Sequence, residues 1–189
     1  IIGRSANKAF IYRAGNPPVF VSAVTFGTTI PGGARGADFY PRTQTLWTDS
    51  YNTPFELFEF DLGLPRVVAK DTVSVGSGLG IGWVAGSAPG LVYQGAASFT
   101  EYAPGIRFGT RWLPIAIDNL FFMSVTTPQI FRGFTGTLDA NGTATGGIIV
   151  PNIQALVGYS FSLTMVTVDP KAPQGIQGIS GPLKVNITK

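Results

Sequence analysis

Neither cysteine nor histidine occurs among the 189 residues of the chain. Without cysteine the chain forms no disulfide framework and no thiolate metal site. Without histidine it lacks the central group of Ser-His-Asp and Cys-His catalysis and the commonest protein ligand of zinc. An enzyme built on this sequence would depend on carboxylates, Lys, Tyr or Ser. We therefore expect a non-enzymatic protein that needs no metal or organic cofactor.

Charge is scarce as well. Asp, Glu, Lys and Arg make up 12% of the chain, against about 25% in a typical soluble domain. Because solubility normally depends on a charged surface, we expect this chain to bury part of its surface against neighbours. The net charge is +3, but the 13 Lys and Arg residues form no run of three. A groove that tracks phosphates is therefore not expected, and neither is a nucleic-acid partner.

Long apolar runs are also missing. No stretch reaches the about 18 apolar residues of a membrane-spanning helix, and the run from 113 to 125 is broken by Pro114 and Asp118. We expect no integral membrane segment. The chain starts at Ile1 instead of Met, as expected of a mature product whose leader has been removed, which favours an extracellular or cell-surface location.

What the sequence has in plenty is glycine and proline, with 25 and 14 residues. Their spacing leaves no amphipathic helical stretch of normal length. Segments rich in Val, Ile, Thr and aromatic residues predict thirteen strands, at 8–13, 19–28, 43–48, 54–62, 66–75, 80–85, 92–100, 112–118, 120–126, 131–138, 143–150, 159–168 and 181–188. This pattern predicts an all-β, antiparallel β-sandwich of jelly-roll or Ig-like type. We predict one domain, 1–189, with a soft boundary and two sub-sandwiches as the alternative at the glycine-rich stretch 76–90.

Two local patterns stand out. Asp139-Ala-Asn141-Gly142 predicts the turn of a hairpin, because Asp opens such turns and Asn and Gly adopt the left-handed conformation that closes them. Residues 159–168 alternate with a period of two, which predicts a central, half-buried strand. Its buried face would carry Tyr159, Phe161, Leu163 and Met165, and its other face Ser160, Ser162, Thr164 and Val166.

From Tyr93 onward the order of motifs resembles a known module. The matching pieces are Leu113-Pro-Ile-Ala-Ile-Asp118, Gly136-Thr-Leu-Asp-Ala-Asn-Gly-Thr-Ala144, Val150-Pro151, Leu156-Val-Gly158, Val168-Asp-Pro170 and Ile179-Ser180. This half of the chain resembles a carboxy-terminal β-sandwich module of large secreted proteins of planctomycete-type and myxobacterial-type bacteria. The resemblance implies an extracellular β-sandwich and brings no catalytic residues with it.

The densest carboxylates are Glu56, Glu59 and Asp61. In a strand, Glu59 and Asp61 share a face and Glu56 lies on the other. The acid pair of a glycosidase usually comes from separate strands about 5–10 Å apart, so we interpret these residues as solvated charges of an edge strand. Likewise, the Asp139–Gly142 turn lacks the ligand spacing of a calcium loop, and the glycine-rich 76–82 stretch lacks the G-x-G-x-x-G spacing of a phosphate loop.

The amino-terminal segment, 1–26, is a candidate for contacts between subunits. Phe10, Ile11, Tyr12 and Arg13 have the composition of a strand, and the following Asn-Pro-Pro at 16–18 is a stiff, extended break. An extended arm of this kind adds a strand to a neighbour's sheet. Its positive charge would face the acidic region that contains Glu56, Glu59 and Asp61 of the next subunit. The alternative, that the arm pairs within its own sheet, stays open.

These patterns together favour an extracellular structural subunit that assembles with copies of itself into a surface fibre, a pilus-like filament or a matrix. The first alternative is a carbohydrate-binding or adhesive module that binds surface glycans. Its aromatic ligand surface would come from Trp47, Trp83 and Trp112. A viral coat-like jelly roll ranks next, and an enzyme that uses carboxylates ranks last.

Overall fold

A computed structural model describes residues 63–108 and 111–189, except the side chains of 102–105, 108, 111 and 112, and it describes the backbone of six strands before residue 63. The chain divides into two compact units, Ile1–Leu62 and Gly63–Lys189. The division falls at residue 62 and not in the glycine-rich stretch 76–90. That stretch contains a strand, Gly78–Val84, that has a partner strand on each side.

The first unit contains, in its described part, two three-stranded antiparallel sheets. Its strands are β1 (Ile2–Ser5), β2 (Lys8–Arg13), β3 (Val19–Thr25), β4 (Asp38–Tyr40), β5 (Thr45–Asp49) and β6 (Leu57–Asp61). Strand β2 lies between β1 and β3, and β5 lies between β4 and β6. The four strands predicted in this region are confirmed, whereas β1 and β4 escaped prediction.

The second unit is a sandwich of two sheets with one α-helix. Its elements are β7 (Arg66–Ala69), β8 (Thr72–Ser74), β9 (Gly78–Val84), β10 (Val92–Ser98), β11 (Glu101–Phe108), β12 (Arg111–Ile115), α1 (Asn119–Thr126), β13 (Phe131–Arg132), β14 (Thr135–Thr137), β15 (Thr143–Ile149), β16 (Ser160–Val168), β17 (Ile176–Ile179) and β18 (Leu183–Thr188). Two 3₁₀ turns lie at Gln154–Leu156 and Pro173–Gly175. The all-β prediction is confirmed.

The larger sheet has the strand order β14-β10-β16-β18-β8, with β17 also paired to β16, and the smaller has the order β13-β15-β9-β7. Strands β11 and β12 form a separate hairpin. Among the described pairings, that of β8 with β18 is parallel and the others are antiparallel. Side chains that alternate toward the space between the two sheets form one hydrophobic core.

Trp83 of β9 is the centre of this core and is 0% exposed. Its ring packs edge-on against Phe134, with 5.0 Å between ring centroids. Its Nε1 donates to the Gly133 carbonyl at 2.7 Å, and the Tyr93 hydroxyl donates to the same oxygen at 2.8 Å. Burial raises the pKa of Tyr93 above its ordinary value. The buried polar atoms of both rings are thus satisfied, which removes the penalty of burying them unpaired.

Strand β16 is buried on both faces and not on one. Phe161, Leu163 and Met165 face the core as predicted, but Tyr159 lies outside the strand and is 60% exposed. The polar face is covered because Leu113 and Ile115 of the β11–β12 hairpin pack over it. Its hydroxyls are paired: Ser162 donates to the Glu101 carboxylate, and Thr164 Oγ1 lies 3.1 Å from Ser180 Oγ.

The segment predicted as one strand, 66–75, is two strands in different sheets. β7 pairs with β9 in the smaller sheet, and β8 pairs with β18 in the larger. The exposed residues Lys70 and Asp71 connect the two strands. The strand-like composition of 66–75 therefore continues across a point where the chain passes from one sheet to the other.

The turn at Asp139 has the predicted chemistry but not the predicted partners. One carboxylate oxygen accepts the N–H groups of Asn141 and Thr143, each at 2.8 Å, and Gly142 has a φ of +71°. The strands on either side, β14 and β15, belong to different sheets. The turn is therefore an arch between sheets, and the predicted hairpin is wrong. The chain is directed to the smaller sheet because the Gly142 carbonyl accepts the Ala85 N–H at 2.8 Å.

The segment predicted as a strand at 120–126 is the helix α1. Asp118 caps it, since its Oδ1 accepts the Phe121 N–H at 2.8 Å. Pro128 follows two residues after its last turn, where a proline commonly ends a helix. These two local signals favour the helix over the β-propensity of the apolar residues between them.

Candidate functional site

An apolar groove of about 280 Å³ opens on the surface of the second unit. Its lining is drawn from the turn after β10, from α1, from the end of β15 and the loop after it, and from the core. The lining residues are Phe99, Asn119, Leu120, Met123, Ile130, Phe131, Ile148, Ile149, Val150, Pro151, Ile153, Leu156, Phe161 and Ile187. All but Asn119 are apolar, and none is charged. We call this site the α1 groove.

One carboxylate fixes the α1 wall of the groove. Besides capping the helix through Oδ1, Asp118 accepts the Phe99 N–H at 2.8 Å and the Ser98 hydroxyl at 2.9 Å through Oδ2. Ser98 is 0% exposed. Asp118 thus ties the start of α1 to the turn that carries Phe99, and sets the positions of two sides of the groove together.

The inner side of α1 is held by a second serine. Ser124 is 3% exposed; its hydroxyl accepts the Ala97 N–H at 3.0 Å and donates to the Phe121 carbonyl at 2.7 Å. The outer side of the helix is apolar as well, and Phe122 and Met123 are 55% and 44% exposed. The apolar face of a helix normally packs against the core. Here two large apolar side chains are instead exposed to solvent.

The opposite wall is formed by the end of β15 and the loop that follows. Ile149 and Ile153 are 44% and 51% exposed, and Phe99 at the rim is 47% exposed. The floor is formed by Phe161 and Ile187, which also belong to the core cluster. The groove thus extends from the surface down to the hydrophobic core.

The chemistry of the α1 groove is that of a binding surface. Its lining gives dispersion contacts and hydrophobic burial, but no side chain that transfers a proton or holds a cation. Elsewhere in the part of the chain that the structure describes, no group of three or more His, Cys, Asp or Glu residues lies close enough to hold a metal ion. Among the same residues, no helix is both long enough and apolar enough to span a membrane.

Comparisons with protein-family models, with curated proteins and with solved structures found no match. The resemblance of the carboxy-terminal half to a secreted bacterial module therefore stays a prediction.

The predicted aromatic ligand surface is wrong for one of its three members. Trp83 is 0% exposed at the centre of the core and touches no solvent. It is buried because its strand, β9, alternates inward at this position and both sheets close over the ring. Trp47 lies in β5 opposite Glu59, and Trp112 lies in β12 opposite Arg107; the side chains of both tryptophans are outside the described residues.

The predicted subunit-contact residues 10–13 lie in β2, which pairs with β1 on one edge and with β3 on the other. For the backbone of this strand the structure shows pairing within its own sheet, the alternative that the sequence left open. Glu59 and Asp61 lie in β6 opposite Trp47 and Thr45, and Glu56 lies outside the described residues. A role of these side chains between subunits stays a prediction.

Sequence reasoning missed the α1 groove altogether. The groove depends on a helix that was predicted as a strand, and it joins segments as far apart as Phe99 and Ile187. One signal was available, namely Asp118 two residues before the apolar run that starts at Leu120, with Pro128 shortly after that run.

Proposed function

We propose that this protein is an extracellular structural subunit that assembles with copies of itself into a surface fibre, a pilus-like filament or a matrix, and that the α1 groove is one of its contact surfaces. The proposal rests on the groove, where large apolar side chains are exposed side by side and no charged side chain belongs to the described lining. Contiguous exposed apolar surface of this kind marks an interaction site.

The size of the groove decides how much it contributes. Phe99, Met123, Ile149 and Ile153 are each 44% to 51% exposed. Fully burying one such side chain contributes about 1.5–3 kcal/mol, so covering the exposed half of all four contributes roughly 3–6 kcal/mol. Association itself costs about 4–15 kcal/mol. The α1 groove is therefore a contact that needs a second contact beside it, as expected of a subunit in a repeating assembly.

A second copy of the chain is the partner that the composition supports. With 12% charged residues, the chain has little surface that is specific for a charged partner. It also exposes apolar side chains away from the groove that suit the groove of a neighbour, among them Val68 and Val92 at 52% and 49%. A contact between two different surfaces runs head to tail, and such contacts build open filaments when the rotation does not close.

Electron microscopy of the purified full chain over a range of concentrations tests this proposal. Filaments or extended arrays are the expected result. Closed shells would contradict it in favour of a coat-like jelly roll. Dispersed single particles that bind to a glycan array would contradict it in favour of a carbohydrate-binding module.

A further inference from the structure

A second concave feature lies between the edges of the two sheets of the sandwich. It is a cleft of about 440 Å³ between β8 and the first half of β9, within the roughly 300–1,000 Å³ range of ligand pockets. Among the described residues of its lining Lys70 is the one that carries a charge, and Val73 and Leu79 are 6% and 4% exposed. The lining also contains four hydroxyl groups, those of Thr72, Ser74, Ser77 and Thr188. We call it the β8–β9 cleft.

The cleft exists because the chain changes sheets there. β7 runs beside β9 from Arg66, opposite Val84, to Ala69, opposite Ile81. The chain then leaves for the larger sheet and continues as β8. Residues 78–80 of β9 therefore pair with β15 on one side and border the cleft on the other.

The other wall of the cleft is a second strand edge. Among the described strands β8 pairs with β18 alone. The Asp71 carbonyl accepts the Asn186 N–H, and the Val75 N–H donates to the Thr188 carbonyl. Because alternate residues of a strand bond to the same neighbour, the main-chain N–H groups of Thr72 and Ser74 point the other way, toward the cleft. Strand edges of this kind are templates for the addition of another strand.

Glycine is present in the cleft where the fold does not require it. A Cβ atom on Gly80 would meet nothing within 4 Å, and one on Gly78 would meet only the Ile148 carbonyl, at 3.9 Å. Glycine inside a strand costs about 0.5–1 kcal/mol relative to alanine. It often marks a place where another backbone approaches closely. This is consistent with two strand edges that have no partner strand among the described residues, although the Ser74 carbonyl on the β8 edge already accepts the Ser77 N–H and hydroxyl.

We propose that the β8–β9 cleft accepts an extended segment of a second copy of the chain, which adds as a strand beside β8. This inference rests on the proposed self-assembly and supplies the second contact that it needs. The charge of Lys70 and the hydroxyl groups of the lining match a strand in which acidic residues alternate with apolar ones. Strand β6 has this sequence, Leu-Phe-Glu-Phe-Asp at Leu57–Asp61, and among the described strands it pairs with β5 alone. The occupant is therefore β6 of the neighbouring copy.

The test is a titration of a synthetic peptide with the sequence of residues 54–62 into the full chain, at a concentration where the chain is monomeric, followed by calorimetry. Gly80→Val fills the cleft while its Cβ has room in the fold. Thr145→Val is the matched control, on an exposed position of the neighbouring strand β15 outside the cleft. We expect binding to the parent chain and to Thr145→Val, and a loss of affinity of about tenfold or more with Gly80→Val, the equivalent of one or two lost hydrogen bonds.

Circular dichroism melting checks that Gly80→Val is folded. No binding by the parent chain, or equal binding by a folded Gly80→Val, overturns the proposal. Equal binding of a peptide with lysine in place of Glu59 and Asp61 overturns β6 as the occupant. If the parent chain and Gly80→Val both assemble in electron micrographs, the proposal for the cleft is wrong and the proposed self-assembly is not contradicted. A chain that binds the peptide but never assembles contradicts the proposed function instead.

Discussion

The core around Trp83 and the groove beside α1 are built from the same kinds of side chain in the same unit, yet their side chains differ in exposure to solvent. Trp83 lies between two sheets of its own chain and is 0% exposed, whereas Met123 and Ile153 in the groove are 44% and 51% exposed. Domains are stable when each apolar face is buried against a second layer. The described residues supply that layer for the core but not for the groove. The groove is the place where we propose that a second copy of the chain supplies it.

The largest expected change in the free energy of unfolding distinguishes two phenylalanines that both line the groove. Phe161 is 5% exposed and belongs to the core, whereas Phe99 is 47% exposed at the rim. Phe161→Ala is expected to lower the free energy of unfolding by about 3–5 kcal/mol because it leaves a cavity. Phe99→Ala is expected to lower it by less than about 1 kcal/mol. Urea unfolding measures both, and equal losses would erase the distinction between core and groove.

A pair of glycines tests how tightly the core is closed. A Cβ on Gly95 would lie 2.6 Å from Trp83 Cη2, whereas a Cβ on Gly80 would meet nothing within 4 Å. Gly95→Ala is expected to cost about 1–3 kcal/mol through overpacking of the ring. Gly80→Ala is expected to leave stability unchanged or raise it slightly, since alanine suits a strand better. Thermal melts of the two variants decide, and a neutral Gly95→Ala would mean that the Trp83 ring has room to move.

Substitution of Asp118 tests whether the α1 wall of the groove depends on the N-cap of the helix. Asp118→Ala removes three hydrogen bonds to the carboxylate and is expected to cost about 0.5–2 kcal/mol, the usual effect of losing a helix cap. The control is Asp71→Ala, since Asp71 is exposed and is bonded to Asn186 through its main-chain carbonyl. Hydrogen exchange should show faster opening of α1 in Asp118→Ala only. Unchanged protection of α1 would contradict the assignment of the cap.

The smallest expected effect is a pH dependence at the arch. The main-chain N–H and the hydroxyl of Thr143, together with the Asn141 N–H, hold the pKa of Asp139 below its ordinary value of 3.8. A lowered pKa in the folded state means that the ionised carboxylate stabilises the fold above pH 3.8, and that this contribution is lost as pH falls through the lowered pKa. The melting temperatures of the parent chain and Asp139→Ala should differ at neutral pH and converge in acid. A difference that persists in strong acid would refute this role of the carboxylate.

Local patterns predicted most of the strands, but they did not predict β11 and β17, the division of 66–75 and 131–138 between two sheets, or what covers each strand. The period of two in β16 correctly predicted that Phe161, Leu163 and Met165 face the core. Nothing in that period indicates that the β11–β12 hairpin would also bury Ser162 and Thr164. The Asp139 turn was predicted from its side-chain chemistry, but the choice of sheet for each flanking strand is made by distant partners.

The α1 groove could not be predicted from the sequence, because contacts between distant segments form it. In α1 the apolar residues have strand propensity, and the helix is decided by the cap at Asp118 and by packing against β10. The α1 groove then arises from segments that are far apart in the chain. The prediction for Trp83 failed for the opposite reason. Its residue type is common on ligand surfaces, but its position in β9 places the side chain in the core.

The most direct test of self-assembly through the α1 groove compares variants of two exposed isoleucines by sedimentation velocity. Ile153 lines the α1 groove and is 51% exposed, whereas Ile117 lies outside the groove and is 56% exposed. A glutamate in the groove would have to be buried, uncompensated, against the apolar partner. We predict that Ile153→Glu shifts the chain from assemblies to monomers, whereas Ile117→Glu sediments like the parent chain. Assemblies of Ile153→Glu as large as those of the parent chain would contradict it.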